Sequence, residues 1–123
     1  MRWVEPGDSV SYDATFTATS RSLIATVPLG YADGYPRGAS NAGRAILRER
    51  SIPIVGRVTM DMIMLDVTGT GAEVGDVVTL IGEGTALGAP VDVASVAALA
   101  GLSPYELLTG LRSRIERVYR GEA

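Results

Sequence analysis

The sequence predicts a mainly β domain: compact, barrel-like and antiparallel, of the Greek-key type, with two short helices near the C-terminus. Three observations lead there. The first eighty residues fall into short runs with period-two or β-branched apolar patterning, as strands require. Fifteen Gly and six Pro interrupt those runs at short intervals, the punctuation of a sandwich or barrel and not of βαβ units. Helix signals occur only after residue 90. A chain of 123 residues holds one core and not two, so residues 1–123 are expected to form a single domain. At this size folding hides roughly two-thirds of the extended chain's surface, and no disulfide or metal staple is needed.

Taken in order, the first element is a strand over Ser9–Thr19. Val10, Tyr12, Ala14, Phe16 and Ala18 share one face, and the Ser, Thr and Asp residues between them share the other. Leu23–Leu29 is a second apolar run. Shorter strands are expected over Ala45–Arg48, Ile54–Val58, Met62–Val67 and Val77–Ile81. Glu5-Pro6-Gly7-Asp8 echoes Glu73-Val74-Gly75-Asp76, a Gly-Asp turn feeding a strand each time, which suggests a recurring corner and not a repeat array. Val91–Ala100 reads as a helix with Asp92 as N-cap and Gly101 as its stop. Ser103-Pro104-Tyr105-Glu106 is a capping box with Pro at the first helical position, opening a short helix that ends before Gly110. Ile115–Tyr119 reads as a closing strand.

Composition removes whole classes of chemistry. There is no Cys, which excludes disulfides, thiolate nucleophiles and zinc–thiolate sites. There is no His, the usual general base and commonest metal ligand. All eleven basic residues are Arg, so no side-chain amine is present to bind an aldehyde coenzyme covalently. A net charge of −3 disfavours a nucleic-acid partner. No apolar run approaches the ~20 residues of a membrane span, and the first eight residues lack the regions of a secretion signal. No membrane partner and a cytoplasmic location are therefore expected. Tyr, Asp, Glu, Arg, Ser, Thr and backbone groups remain to carry chemistry.

Each candidate among them has a plain structural reading beside the chemical one. Tyr12 either buries its ring on the apolar face of a strand or acts as a base, and a phenol with an ordinary pKa near ~10 needs help for the second role. Gly30-Tyr31-Ala32-Asp33-Gly34-Tyr35-Pro36-Arg37 either presents side chains from a strand end or is a glycine-supported turn whose Asp satisfies its own backbone. Met60, Met62 and Met64 alternate as a thioether copper site would. With no Cys or His nearby, packing into a core is the stronger reading. The backbone N–H of a residue beside Asp61 could still bind an anion. Asp33, Asp61 and Asp66 lack the spacing of a calcium loop, so no metal site is expected. Arg112, Arg114, Arg117 and Arg120 read as a solvated face or subunit contact.

Four motifs, in order and at compatible spacing, resemble one family. Val10-Ser11-Tyr12 with Ala14-Thr15-Phe16-Thr17-Ala18 resembles its "VSYGATYTA", and Val27-Pro28-Leu29-Gly30-Tyr31-Ala32-Asp33-Gly34 its "IPIGYADG". Pro53 to Asp61 resembles "PIVGRVCMD", and Val77–Gly82 with Ser103-Pro104-Tyr105-Glu106 completes the order. These markers belong to the C-terminal domain of alanine racemases, pyridoxal-phosphate isomerases that interconvert L- and D-alanine and supply D-alanine for peptidoglycan synthesis. The resemblance implies an N-terminal TIM barrel outside these residues, carrying the coenzyme-binding lysine and most of the cofactor site. It also implies a homodimer in which the β domain of one subunit completes the active site of the other.

Position by position, the resemblance makes Tyr12 the acid/base on the L-alanine side, with the barrel lysine serving the opposite face. Tyr31 lines the substrate entry. The Met60 backbone N–H binds the substrate carboxylate, with Asp61 supporting that turn. Tyr105 hydrogen-bonds the cofactor phosphate, and Arg37 and Arg57 fall at entryway positions. Racemisation needs a base on each side of the α-carbon and an electron sink, which pyridoxal phosphate supplies. This chain, with no Lys, is expected to be inactive alone. Two positions depart from the family pattern. Asp13 replaces the usual Gly, and a negative charge near Tyr12 raises a phenol's pKa and opposes catalysis. Thr59 replaces the common Cys, with little effect expected. The alternative is a stand-alone β-barrel binding or assembly module without catalytic activity, in which Tyr12, Tyr31 and Met60 would be scattered instead of converging on one edge.

Overall fold

A computed structural model describes residues 1–10, 16–82 and 91–111. Its largest sheet has three antiparallel strands in the order β1-β4-β7: β1 (Arg2–Val4), β4 (Ser22–Val27) and β7 (Ile63–Asp66). Two antiparallel hairpins accompany it, one of β2 (Ser9–Val10) with β3 (Phe16–Thr17), the other of β5 (Arg44–Leu47) with β6 (Arg50–Pro53). Helices α1 (Val93–Leu99) and α2 (Pro104–Thr109) follow. The mainly β, antiparallel reading with two late helices holds. Among the described residues no helix is long and apolar enough to cross a membrane.

The three-stranded sheet is apolar on both faces, and that places the core. Ala25 pairs with Leu65 and Val27 with Ile63, and this face joins the larger cluster with Leu47, Ile52, Ile54, Val96 and Leu107. The opposite face carries Ile24 and, partly buried, Met64, packed with Val4, Val10, Ala18 and Val55 in a smaller cluster. Alternation along a strand sends successive side chains to opposite faces, so a single sheet serves both clusters.

Several sequence expectations need correction. Ser9–Thr19 is not one strand: Ser9 pairs with Thr17 and Val10 with Phe16, so the chain reverses between them. Partners in this register share parity, 9 with 17 and 10 with 16. Period two alone cannot reveal such a fold-back. Val77–Ile81 forms no strand; Thr79 alone bridges to Ile46, and Val77 is 83% exposed. The strand expected over Ile54–Val58 lies earlier, at β6. Ile54, Val55 and Val58 are buried without a ladder, and the Asn41 and Ser40 side chains take the Gly56 and Val58 N–H groups at 2.7 and 2.9 Å. Each stretch pairs through one isolated bridge, Ile54 with Leu65 and Thr79 with Ile46, too little to extend into a ladder. Strand β1 has one buried residue and gave too short a pattern to see. Tyr12, Asp13, Ile115–Tyr119 and the four Arg residues after Leu111 lie outside the described residues.

The local signals with a defined chemistry fared better. Asp92 caps α1 by accepting the Ser95 N–H at 3.1 Å, and the Ser103–Glu106 capping box is reciprocal at 3.1 and 3.0 Å. The echoed turns share one design. The Asp8 carboxylate accepts the Glu5 N–H and the Asp76 carboxylate the Glu73 N–H, each at 2.9 Å. The Glu73 N–H, with Arg48 beside it, holds the Asp76 carboxyl below its ordinary range, and Ser95 does the same for Asp92. A depressed carboxylate contributes stability above its unfolded pKa, and that part is lost as pH falls through the lower folded value, below about pH 4 here.

Candidate functional site

Two turns build the site, and hydrogen bonds join them. After β4 the chain enters a single 3-10 turn, Tyr31–Asp33, whose carboxylate folds back. Asp33 is buried and its Oδ2 accepts the Gly30 N–H at 3.1 Å, while its own N–H donates to the Gly30 carbonyl at 3.0 Å. The plain reading of this Asp as a turn-former is therefore correct. The second turn precedes β7. The Thr59 N–H donates to the Met62 carbonyl at 3.0 Å, and the Met62 N–H donates to the Thr59 hydroxyl at 2.9 Å, leaving Met60 and Asp61 at the tip.

The turns meet backbone to backbone. Tyr31 N–H donates to the Thr59 carbonyl and Ala32 N–H to the Met60 carbonyl, both at 3.0 Å. Glycine is required at this seam: a Cβ on Gly30 would lie 2.2 Å from the Thr59 oxygen and 2.6 Å from the Met60 carbonyl carbon. A second clamp lies at Gly34, where φ is +107° and a Cβ would sit 2.5 Å from the Gly110 carbonyl oxygen. That contact seats the C-terminal end of α2 on the same loop. Gly38 abuts Ala100 at the end of α1, so both helices support the loop from behind.

This arrangement brings most of the expected residues to one edge. Tyr31 is 41% exposed and Met60 57%, on opposite sides of the seam and each next to the other's bonded neighbour. The Arg37 guanidinium lies 5.8 Å from the centroid of the Tyr31 ring, within cation–π range. Asp61 is exposed beside Met60, and Arg57 is half-buried two residues before Thr59. Among the described residues the Met60 N–H makes no hydrogen bond, so a backbone donor is available at the tip. Tyr105, 81% exposed, stands in the first turn of α2, roughly 7 Å along the helix axis from the Gly110 contact. It belongs to the helix whose C-terminal end meets Gly34. The placement of Tyr12 relative to these groups lies outside the described residues.

The core reading of the three Met residues fails for two of them. Met60 and Met62 are exposed, and only Met64 packs against a cluster. Alternation along β7 explains Met64, but Met60 and Met62 belong to the turn, where strand periodicity does not apply. Sequence reasoning also underrated Thr59, whose hydroxyl closes the turn. A Thr three residues before its N–H partner is the available signal, an ST-type turn.

Tyr35 takes no part in the edge. It is 3% exposed within the larger cluster, and its hydroxyl has no hydrogen-bond partner among the described residues. Burial pushes its phenol up from 10.0 to about 12. The neutral form is thus favoured by folding; stability is intact below about pH 10 and declines as pH rises through the folded value. Tyr35→Phe is expected to change stability by less than ~1 kcal/mol at neutral pH and to flatten the alkaline decline. Urea unfolding at pH 7 and pH 10.5 tests this, and a loss above ~2 kcal/mol at pH 7 means the hydroxyl is bonded after all.

The family described as "Alanine racemase, C-terminal domain" matches residues 1–119. The chain belongs to the alanine racemase C-terminal domain family. The alanine racemase of Geobacter sulfurreducens is 48% identical over 123 residues, covering 97% of this chain and 31% of its own length. Among solved structures, the alanine racemase of the D-cycloserine producer Streptomyces lavendulae superposes with a TM-score of 0.88 at 33% identity, over 99% of this chain and 31% of that one. The alanine racemase of Bartonella henselae, solved with covalently bound pyridoxal phosphate, gives a TM-score of 0.84 at 36% identity over 96% of this chain and 32% of that one. The chain thus spans about a third (31%) of the length of the curated racemases it matches.

Proposed function

We propose that this domain supplies one wall of an alanine racemase active site whose other wall is a TIM-barrel domain, within a homodimer. The observation that carries the reading is the fused pair of turns, which holds an exposed phenol, a cation and an open backbone N–H on one rigid edge. Such an edge is short of a complete site. With no Lys in the chain, covalent attachment of a coenzyme must come from elsewhere.

The donor set fits a partial contribution to a pyridoxal-phosphate site. Exposed Tyr105 can donate its hydroxyl to a phosphate oxygen, and this chain has no side-chain amine that competes for the aldehyde. When bound, the coenzyme supplies the electron sink that acidifies the α-proton. This chain's own groups do the rest of its share. The Met60 N–H binds the alanine carboxylate, Asp61 supports that turn, and Tyr31 with Arg37 narrows the approach. Arg57 stands behind the second turn at an entryway position. Tyr12 holds or returns the α-proton on the L-alanine side. A cytoplasmic location and a place in D-alanine supply for peptidoglycan follow from this reading.

The test is reconstitution. The purified chain with pyridoxal phosphate is expected to yield no D-alanine from L-alanine. The same domain joined to a racemase barrel carrying the coenzyme lysine is expected to convert it. Activity of the chain alone, or none from the joined protein with the coenzyme loaded, would overturn the proposal.

A further inference from the structure

The geometry points to Thr59 as a positioning residue that holds the carboxylate-binding turn and the entry turn in one fixed relation. This rests on the racemase reading above and adds to it a residue with no assigned role. Thr59 is 9% exposed, and every polar group it owns is committed. Its carbonyl accepts the Tyr31 N–H at 3.0 Å, which sets the entry turn. Its N–H donates to the Met62 carbonyl at 3.0 Å, and its hydroxyl accepts the Met62 N–H at 2.9 Å. The hydroxyl in turn has two acceptors in reach, the Met62 carbonyl at 3.1 Å and Asp61 Oδ1 at 3.4 Å.

These bonds close a four-residue loop whose only unclaimed donors lie at its tip. Without the hydroxyl, the Met62 N–H loses its acceptor and the loop is closed on itself by one backbone bond, Thr59 to Met62, with the seam bonds from Tyr31 and Ala32 remaining. The Met60 N–H is then aimed less firmly. Fixing a donor before the ligand arrives is what converts a weak backbone contact into selective binding. The seam at Gly30 transmits the same constraint to Tyr31, because its backbone lies against Thr59, Met60 and Asp61. Loss of the hydroxyl should accordingly weaken binding of the alanine carboxylate and leave proton transfer itself largely untouched.

Two measurements separate this from a general folding role. In the 123-residue chain, amide exchange at Met62 is expected to quicken about tenfold in Thr59→Val and to stay near the parent rate in Thr59→Ser, as loss of one hydrogen bond implies. In the two-domain racemase, Thr59→Val should raise the KM for alanine roughly tenfold with kcat within about twofold, and Thr59→Ser should restore both. Unchanged Met62 exchange in Thr59→Val overturns the lock. Faster exchange with an unchanged KM, or a fall in kcat at constant KM, overturns the positioning role while leaving the racemase reading intact. If the parent two-domain protein does not racemise alanine, that reading falls and this inference falls with it.

Discussion

Gly30→Ala lowers the unfolding free energy by about 3 kcal/mol or more, measured as a shift of the urea midpoint at constant slope. The backbone at Gly30 is extended, with φ −148°, so alanine is conformationally acceptable there and the penalty is purely steric. The added methyl would meet the Thr59 oxygen at 2.2 Å, the Met60 carbon at 2.6 Å and the Asp61 nitrogen at 2.7 Å. All three are backbone atoms, and none can swing aside as a long side chain would. Relief requires the two turns to separate, which breaks the Tyr31–Thr59 and Ala32–Met60 hydrogen bonds. Each is worth about 1 kcal/mol, and overpacking strain adds about 1–3 more. The buried Asp33 carboxylate would lose its ordered partner at Gly30 as well. A loss under ~1 kcal/mol would mean that the seam is loose, and the fused-turn description would have to be abandoned.

Tyr12→Phe in the two-domain racemase is expected to cut turnover roughly 10³-fold, within the range that a positioned acid/base contributes. The loss should be one-sided. If the phenol serves the L-alanine face as proposed, washout of the α-proton from L-alanine in deuterated water should nearly vanish. Washout from D-alanine should then persist, since the proposal gives that face to a barrel lysine. Equal retention on both faces would remove Tyr12 from the chemistry and favour a binding module that keeps the fold alone. Asp13 adjoins Tyr12 in sequence, and under the proposed role of Tyr12 the charge-removing Asp13→Gly is expected to raise activity at neutral pH, read from initial rates of the two variants.

Legibility followed locality. Helix caps, the paired Glu-x-Gly-Asp turns and the Asp33 turn were readable, because each is a bond between a side chain and a backbone group three residues away. Strand content was readable and strand identity less so. The pairing of Val10 with Phe16 joins residues of equal parity, and Val77–Ile81 has the composition of a strand with one bridging residue. Pairing is a long-range choice that composition does not encode.

The sequence by itself settled what this chain's side chains cannot do, since a polypeptide without Lys has no side-chain amine to hold a carbonyl coenzyme covalently, whatever its fold. It also settled the family, through motifs that survive as short strings. Only the tertiary structure decided that residues thirty positions apart form one edge. Tyr31 and Met60 share it because two backbones approach more closely than any Cβ allows, a fact about space between segments that no single segment carries.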